Sequence, residues 1–279
     1  MKKILIAMDI ERPDLKGIEF GIYLAQLSGA TLTGIFVERI NLSEQAGVKF
    51  AYGSVYVETI DASQLPETIS REQNHTENIR QFEDACSGRV AYNVKRDFHE
   101  PIDALVANTR FADLLVVSPA FFSSSATERP SAFIKNVLAK SECPVILSPF
   151  HFHEVKELYF ACDTESSSMF AIKQFTYLFP ELRNIKLTIL QASENADFKS
   201  GDLEQIKQYL AANYREVVVH EMTGKPEDEL FDYLLRKTDA VLIMGAYGRS
   251  KASNFFSHST ADPLIEVNAL PLFITHHQS

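Results

Sequence analysis

The sequence predicts an α/β fold built from two doubly wound, mostly parallel five-stranded sheet domains related by an internal repeat, and three observations predict it. Short apolar runs such as Ile4–Met8, Leu114–Val117 and Ala240–Met244 lack polar alternation, the mark of strands buried on both faces of a parallel sheet. Segments with apolar residues at helical spacing lie between them, so strands and helices alternate. The pattern then occurs a second time: Asp163 follows Asp9 by 154 residues, whereas Pro101 and Pro226, Asp113 and Asp239, and Pro144 and Pro271 are 125, 126 and 127 apart. One insertion in the first copy, between residues 39 and 64, explains the change in separation. Residues 1–150 and 151–279 are therefore expected to form one domain each.

Lys3 to Met8 opens the first copy as a strand that stops at Asp9. Leu15 to Leu27 carries Ile18, Tyr23, Leu24 and Leu27 at helical spacings, and Ser28-Gly29 ends it. Ala30 to Val37 is the next strand, so the opening is a β-α-β unit with a right-handed crossover. Asn41, Gly47 and Gly53, with alternating Val55 and Val57, make the insertion a loop or small hairpin. An amphipathic helix from Leu65 to Ser87 and a strand from Val90 to Lys95 follow. Pro101 begins a helix through Arg110, in keeping with the place of proline in a first turn. Leu114–Val117 is a strand, Ala132–Ala139 a short helix and Pro144–Leu147 the closing strand.

The second copy repeats the order. Glu157–Cys162 is a strand ending at Asp163, Ser168–Phe179 a helix and Ile185–Leu190 a strand. Leu203–Tyr214, Glu216–His220 and Pro226–Lys237 are helix, strand and helix. Residues 239–275 then read as strand, glycine turn, short helix and closing strand from Pro271.

Composition narrows the functional classes. A net charge of −10, with 37 acidic against 27 basic side chains and no dense basic run, argues against nucleic acid and anionic membranes. The three cysteines, Cys86, Cys143 and Cys162, lack CxxC spacing and read as buried small residues in a reducing compartment. The apolar run at the N-terminus is broken by Asp9, too short for a signal segment or a membrane span, so a cytoplasmic location is expected.

The turn at Gly245 and Gly248 carries the first chemical hint. Glycines let a ligand approach the backbone, and a turn leaving the carboxyl end of a buried strand aims free N–H groups at one spot, which favours phosphate. The alternative is a tight turn without a ligand. In doubly wound folds ligands enter at the carboxyl ends of the strands where strand order reverses, and Asp9, Asp163 and Gly245 all end strands on that edge.

These residues resemble the universal stress protein family in a tandem two-domain form, over nearly the whole chain. The resemblance rests on Lys-Ile-Leu-Ile-Ala-Met-Asp at the start, Ala-Thr-Leu-Thr-Gly-Ile-Phe-Val as second strand and Gly224-Lys225-Pro226. It rests also on Val-Leu-Ile-Met-Gly-Ala-Tyr-Gly-Arg-Ser and the closing strands at Pro144 and Pro271. It implies an adenine nucleotide alpha hydrolase-like fold. Members that bind ATP carry Gly-x2-Gly-x9-Gly-Ser/Thr. Here Gly245 and Gly248 match, His258 replaces the last glycine, and Ser259 keeps the hydroxyl with Thr260 beside it. The ring of His258 either crowds the phosphate or turns away and leaves its N–H to donate.

By resemblance, Asp163 contacts the nucleoside, Met244, Gly245 and Gly248 form the phosphate turn, and Arg249 and Ser259 reach phosphate, with magnesium only as the companion of the nucleotide. Arg249 as a solvated loop charge and Ser259 as a helix N-cap remain open. The first copy reads Val117-Ser118-Pro119-Ala120-Phe121-Phe122 where the second reads Met-Gly-Ala-Tyr-Gly-Arg, so no ATP is expected there despite Asp9.

Other chemistry is weaker. His151-x-His153 and His276-His277 have no partner ligands at metal spacing, and no metal is expected beyond that magnesium. Ser123–Ser125 and Ser166–Ser168 read as loop and cap clusters, the second directly preceding a helix. No Gly-x-Ser-x-Gly, HExxH or GxxxxGK[ST] occurs, and a non-enzymatic role is expected, with slow ATP hydrolysis left open. The expectation is a stress-response sensor or regulator. The competing one is a scaffold without nucleotide that acts through protein contacts. The closing strands resemble the dimerising edge of the family, which points to an intrachain pseudo-dimer, with further homo-oligomers open.

Overall fold

Strand β1 (Lys3–Asp9) lies at the centre of the first half, its middle residues buried on both faces as the unbroken apolar run requires. The computed structural model describes residues 1–38, 48–51, 54–57, 66–97, 101–123, 130–195, 200–246 and 270–276. Helix α1 (Leu15–Ser28) follows β1, begun by Asp14, whose Oδ1 accepts from the Lys16 N–H at 3.1 Å. It is closed by Gly29 at φ +65°. Then come β2 (Thr31–Val37), the hairpin β3 (Val48–Ala51) and β4 (Ser54–Val57), α2 (Pro66–Cys86), β5 (Tyr92–Asp97), α3 (Pro101–Thr109), β6 (Leu114–Val117), α4 (Ala132–Lys140) and β7 (Val145–Leu147). The insertion thus contains a small antiparallel hairpin, separate from the main sheet.

The second half runs β8 (Glu157–Ala161), α5 (Ser166–Leu178), β9 (Lys186–Ser193), α6 (Ser200–Ala211), β10 (Val217–Thr223), α7 (Pro226–Leu234), β11 (Ala240–Ala246) and β12 (Leu272–His276). The short helix expected between β11 and β12 lies outside the described residues.

Among the described residues, all strands but the hairpin join one ten-stranded sheet in the order β10-β9-β8-β11-β12-β7-β6-β1-β2-β5. Each half is parallel and doubly wound, with its order reversing beside its first strand, β1 or β8. The halves meet where β12 runs antiparallel to β7, Phe273 opposite Ile146. One buried layer on one face takes Ile4, Ile6 and Met8 of β1 with residues of α1, α2, α5 and α6, such as Phe20, Phe82, Phe175 and Ile206. The other takes Leu5 and Ala7 with residues of α3, α4 and α7, such as Leu105, Val137 and Leu234. The period-two division of β1 is what helices on both faces demand.

Register agrees with one detail of the repeat and corrects another. Ile4 pairs with Leu114 as Leu158 pairs with Val241, which makes Leu114 and Val241 equivalent, and Ser118 therefore stands where the second half has Gly245. Asp113 and Asp239 are consequently one position out of step, and they do different work. Asp113 accepts from the Lys2 and Lys3 N–H groups through Oδ2 at 2.7 and 2.8 Å. Asp239 adopts φ +54° and reaches Lys156 Nζ at 3.0 Å. The serines 166–168 do not precede α5 but form its first turn, because Glu165 is the N-cap.

Candidate functional site

The carboxyl edge of the second half is built by a short connection. After Asp163 only Thr164 and Glu165 precede α5, whereas residues 10–14 separate Asp9 from α1. Both aspartates close the same turn, Asp163 Oδ1 accepting from the Glu165 N–H and Asp9 Oδ1 from the Glu11 N–H, each at 2.9 Å. The shorter link makes the chain reverse at once, and Thr164 takes φ +62°, a left-handed conformation that a β-branched residue rarely adopts. Glu165 makes no side-chain cap bond, so no side chain at that position covers the leading amides of α5.

The same short link lowers α5 onto β11. A Cβ on Gly245 would sit 2.4 Å from the carbonyl carbon of Ser167 and 2.5 Å from the Ser168 nitrogen. Gly245 is therefore where two backbones meet, a packing demand beyond both the phosphate approach and the ligand-free tight turn that the sequence suggests. Met244 beside it is buried and pairs with Ala161 and Ile274. Asp163, Met244 and Gly245 thus share one edge. Gly248, Arg249, His258, Ser259 and Thr260 lie outside the described residues. Burial pushes the neighbouring Cys162 thiol up to about 11, which makes it a poor nucleophile at neutral pH.

In the first half the longer link leaves room. A cleft of about 410 Å³ opens over the ends of β1 and β6, lined by Asp9, Arg12, Asp14, Ser118, Phe121 and Phe122 among others. Sequence reasoning missed it by following the glycines. The signal was the five-residue spacing between Asp9 and α1, which holds the helix away from the strand end. Among the described residues no group of three or more His, Cys, Asp or Glu is placed to hold a metal ion, and no helix is long and apolar enough to cross a membrane.

Fold and edge together define a tandem doubly wound α/β protein whose strand order reverses beside β1 and beside β8. No protein-family model and no curated protein matches the chain. Among solved structures it is similar to a universal stress protein from Archaeoglobus fulgidus, at 17% identity and a TM-score of 0.73, over 99% of this chain and 97% of that one. It is also similar to a protein of unknown function from Pseudomonas aeruginosa, at 12% identity and a TM-score of 0.58, over 99% of this chain and 92% of that one. The fold is that of the universal stress proteins, present twice in one chain, as the sequence motifs implied.

Proposed function

We propose that the chain is a stress-response regulator of the universal stress protein family that holds an adenine nucleotide in its second half and signals through protein contacts. In this reading Asp163 contacts the nucleoside, Met244, Gly245 and Gly248 shape the phosphate turn, and Arg249, Ser259 and Thr260 complete it. ATP, with magnesium as its companion, supplies charge to be sensed rather than a group to be transferred.

The observation that carries the reading is the meeting of α5 with β11. The opening turn of α5, whose N-cap offers no side-chain bond, abuts the glycine that starts the Gly-x2-Gly sequence, two residues beyond the Asp163 turn. Amide donors, a carboxylate and a glycine turn are what an adenosine phosphate needs from one strand edge. Titration of the intact chain with ATP and magnesium, beside Gly248→Val, tests it. Saturable binding that the substitution abolishes is expected. No binding at millimolar ATP removes the proposal, and binding unchanged by the substitution moves the site elsewhere. Phosphate release well above a buffer control would make the protein an enzyme instead.

One observation favours a second reading, a stress-response scaffold without nucleotide. Gly245 is fully accounted for by the backbone of Ser167 and Ser168, so its presence requires no ligand.

A further inference from the structure

Strand β10 stands at one end of the ten-stranded sheet, with β9 as its one neighbour among the described strands. The Leu187 N–H donates to the Glu216 carbonyl at 3.0 Å and the Gly224 N–H to the Ser193 carbonyl at 3.1 Å, so the even-numbered residues of β10 turn their peptide groups toward β9. Val217, Val219, Glu221 and Thr223 turn theirs outward, and among the described residues none of those groups meets a backbone partner. The edge is also unguarded. Val217–Thr223 contains no proline or lysine, keeps register with β9 along its whole length and leaves Val218 38% exposed. At the opposite end of the sheet, β5 carries Lys95, Arg96 and Asp97.

Charge around the strand runs from one end to the other. The chain enters β10 through Arg215 and Glu216, with Arg183 alongside because its carbonyl accepts from the Arg215 N–H at 3.0 Å. It leaves past Glu221 and Lys225 into the acidic first turn of α7, Glu227, Asp228 and Glu229. A second β10 laid antiparallel brings the basic entry of each copy to the acidic exit of the other, whereas a parallel one sets acid beside acid. We propose that β10 pairs antiparallel with β10 of a second copy of this chain about a two-fold axis at His220, making one continuous sheet across two chains. In the register that uses the whole strand, Val217 faces Thr223 of the second copy and Val219 faces its Glu221, each pair exchanging backbone hydrogen bonds through the outward groups. Val218 faces Met222 and His220 faces its own copy, so no carboxylate opposes another within the ladder. The inference is independent of nucleotide binding in the second half.

Sedimentation velocity of the intact chain, from micromolar to sub-millimolar concentration and without nucleotide, tests it, and a reversible dimer is expected. Glu221→Pro removes an outward donor from each copy while leaving the bonds to β9 in place, and Val218→Lys sets an ammonium group on the junction. Each should weaken the dimer by roughly tenfold or more, with a melting curve as the check on folding. The register has its own readout. His220→Cys places two thiols across the axis, where facing Cα atoms of a non-hydrogen-bonded pair lie about 4.5 Å apart, so oxidised glutathione should join the copies through a disulfide. Val218→Cys, which faces Met222 instead, should crosslink far less, and the parent chain is the control for its own Cys86, Cys143 and Cys162. A chain that stays monomeric, a dimer that keeps its affinity in both Glu221→Pro and Val218→Lys, or equal crosslinking from positions 218 and 220 overturns the inference. The sedimentation of the parent and the crosslink at position 220 stand even if Glu221→Pro unfolds the protein.

Discussion

Gly245→Ala is expected to be among the most damaging single-methyl additions in the protein. The new Cβ would stand 2.4 Å from the Ser167 carbonyl carbon and 2.5 Å from both the Ser167 oxygen and the Ser168 nitrogen. Carbon atoms rest comfortably at about 3.5 Å, so α5 and β11 must separate by roughly 1 Å. The obstacle is main chain and cannot rotate away. Nor can α5 slide cheaply, since Ala171, Ile172 and Phe175 are buried and Phe175 meets Phe273 edge to face at 5.1 Å. Overpacking of this kind costs about 1–3 kcal/mol, and a rigid neighbour places the loss near 3 kcal/mol.

Urea denaturation followed by far-ultraviolet circular dichroism measures it, with Gly29→Ala as control. Gly29 has φ +65° and open space around its Cβ, so alanine there incurs only left-handed strain, roughly 1–2 kcal/mol. If Gly245→Ala lies within about 0.5 kcal/mol of the parent, or costs less than Gly29→Ala, the close approach of α5 to β11 is wrong.

Three further outcomes follow from the same geometry. Thr164→Asn should stabilise by about 0.5–1 kcal/mol in the same urea assay, because asparagine tolerates positive φ and the buried Thr164 Oγ1 has no hydrogen-bond partner to lose. His75 is buried, and desolvation pushes its imidazole below the ordinary value, with Arg96 and Arg71 acting the same way and Glu38 and Glu72 opposing. A base depressed in the folded state binds more protons when unfolded, so stability should fall as pH drops below about 6.5, and His75→Gln should flatten that fall in urea midpoints between about pH 7.5 and pH 5. Burial pushes the Cys86 and Cys162 thiols up to about 11 and Cys143 up to about 12. Folded protein should therefore react slowly with a thiol-specific disulfide reagent near neutral pH, and stability should decline as pH rises through about 9 toward 11; full-rate labelling of the native chain would refute the burial.

Much of the fold was legible because burial on two faces writes itself into consecutive residues. Ile4 to Met8, Leu114 to Val117 and Val241 to Met244 announce central parallel strands without an alignment. Helix ends were less legible, and α5 shows why. Ser166, Ser167 and Ser168 look like cap residues, and only the two-residue link from Asp163 forces them into the first turn. Of the site, the aspartate turns could be read from strand ends, but Gly245 could not be assigned its packing partner, since Ser167 is distant in sequence. The first-half cleft escaped for the same reason: its volume comes from where α1 begins, a difference of three residues in a connection that composition does not mark.

The antiparallel seam between β7 and β12 sets the two halves head against tail. Parallel strands within each half aim their carboxyl ends in one direction, and the seam reverses that direction, so the Asp9 cleft and the Asp163 turn open on opposite rims of the sheet. The halves are joined along the seam by the pairs Leu147–Leu272, Ile146–Phe273 and Val145–Ile274, and beside it by Phe152, which packs on Phe20 and Tyr23 of α1, and by the Val155 N–H, which donates to the Tyr23 hydroxyl at 3.2 Å.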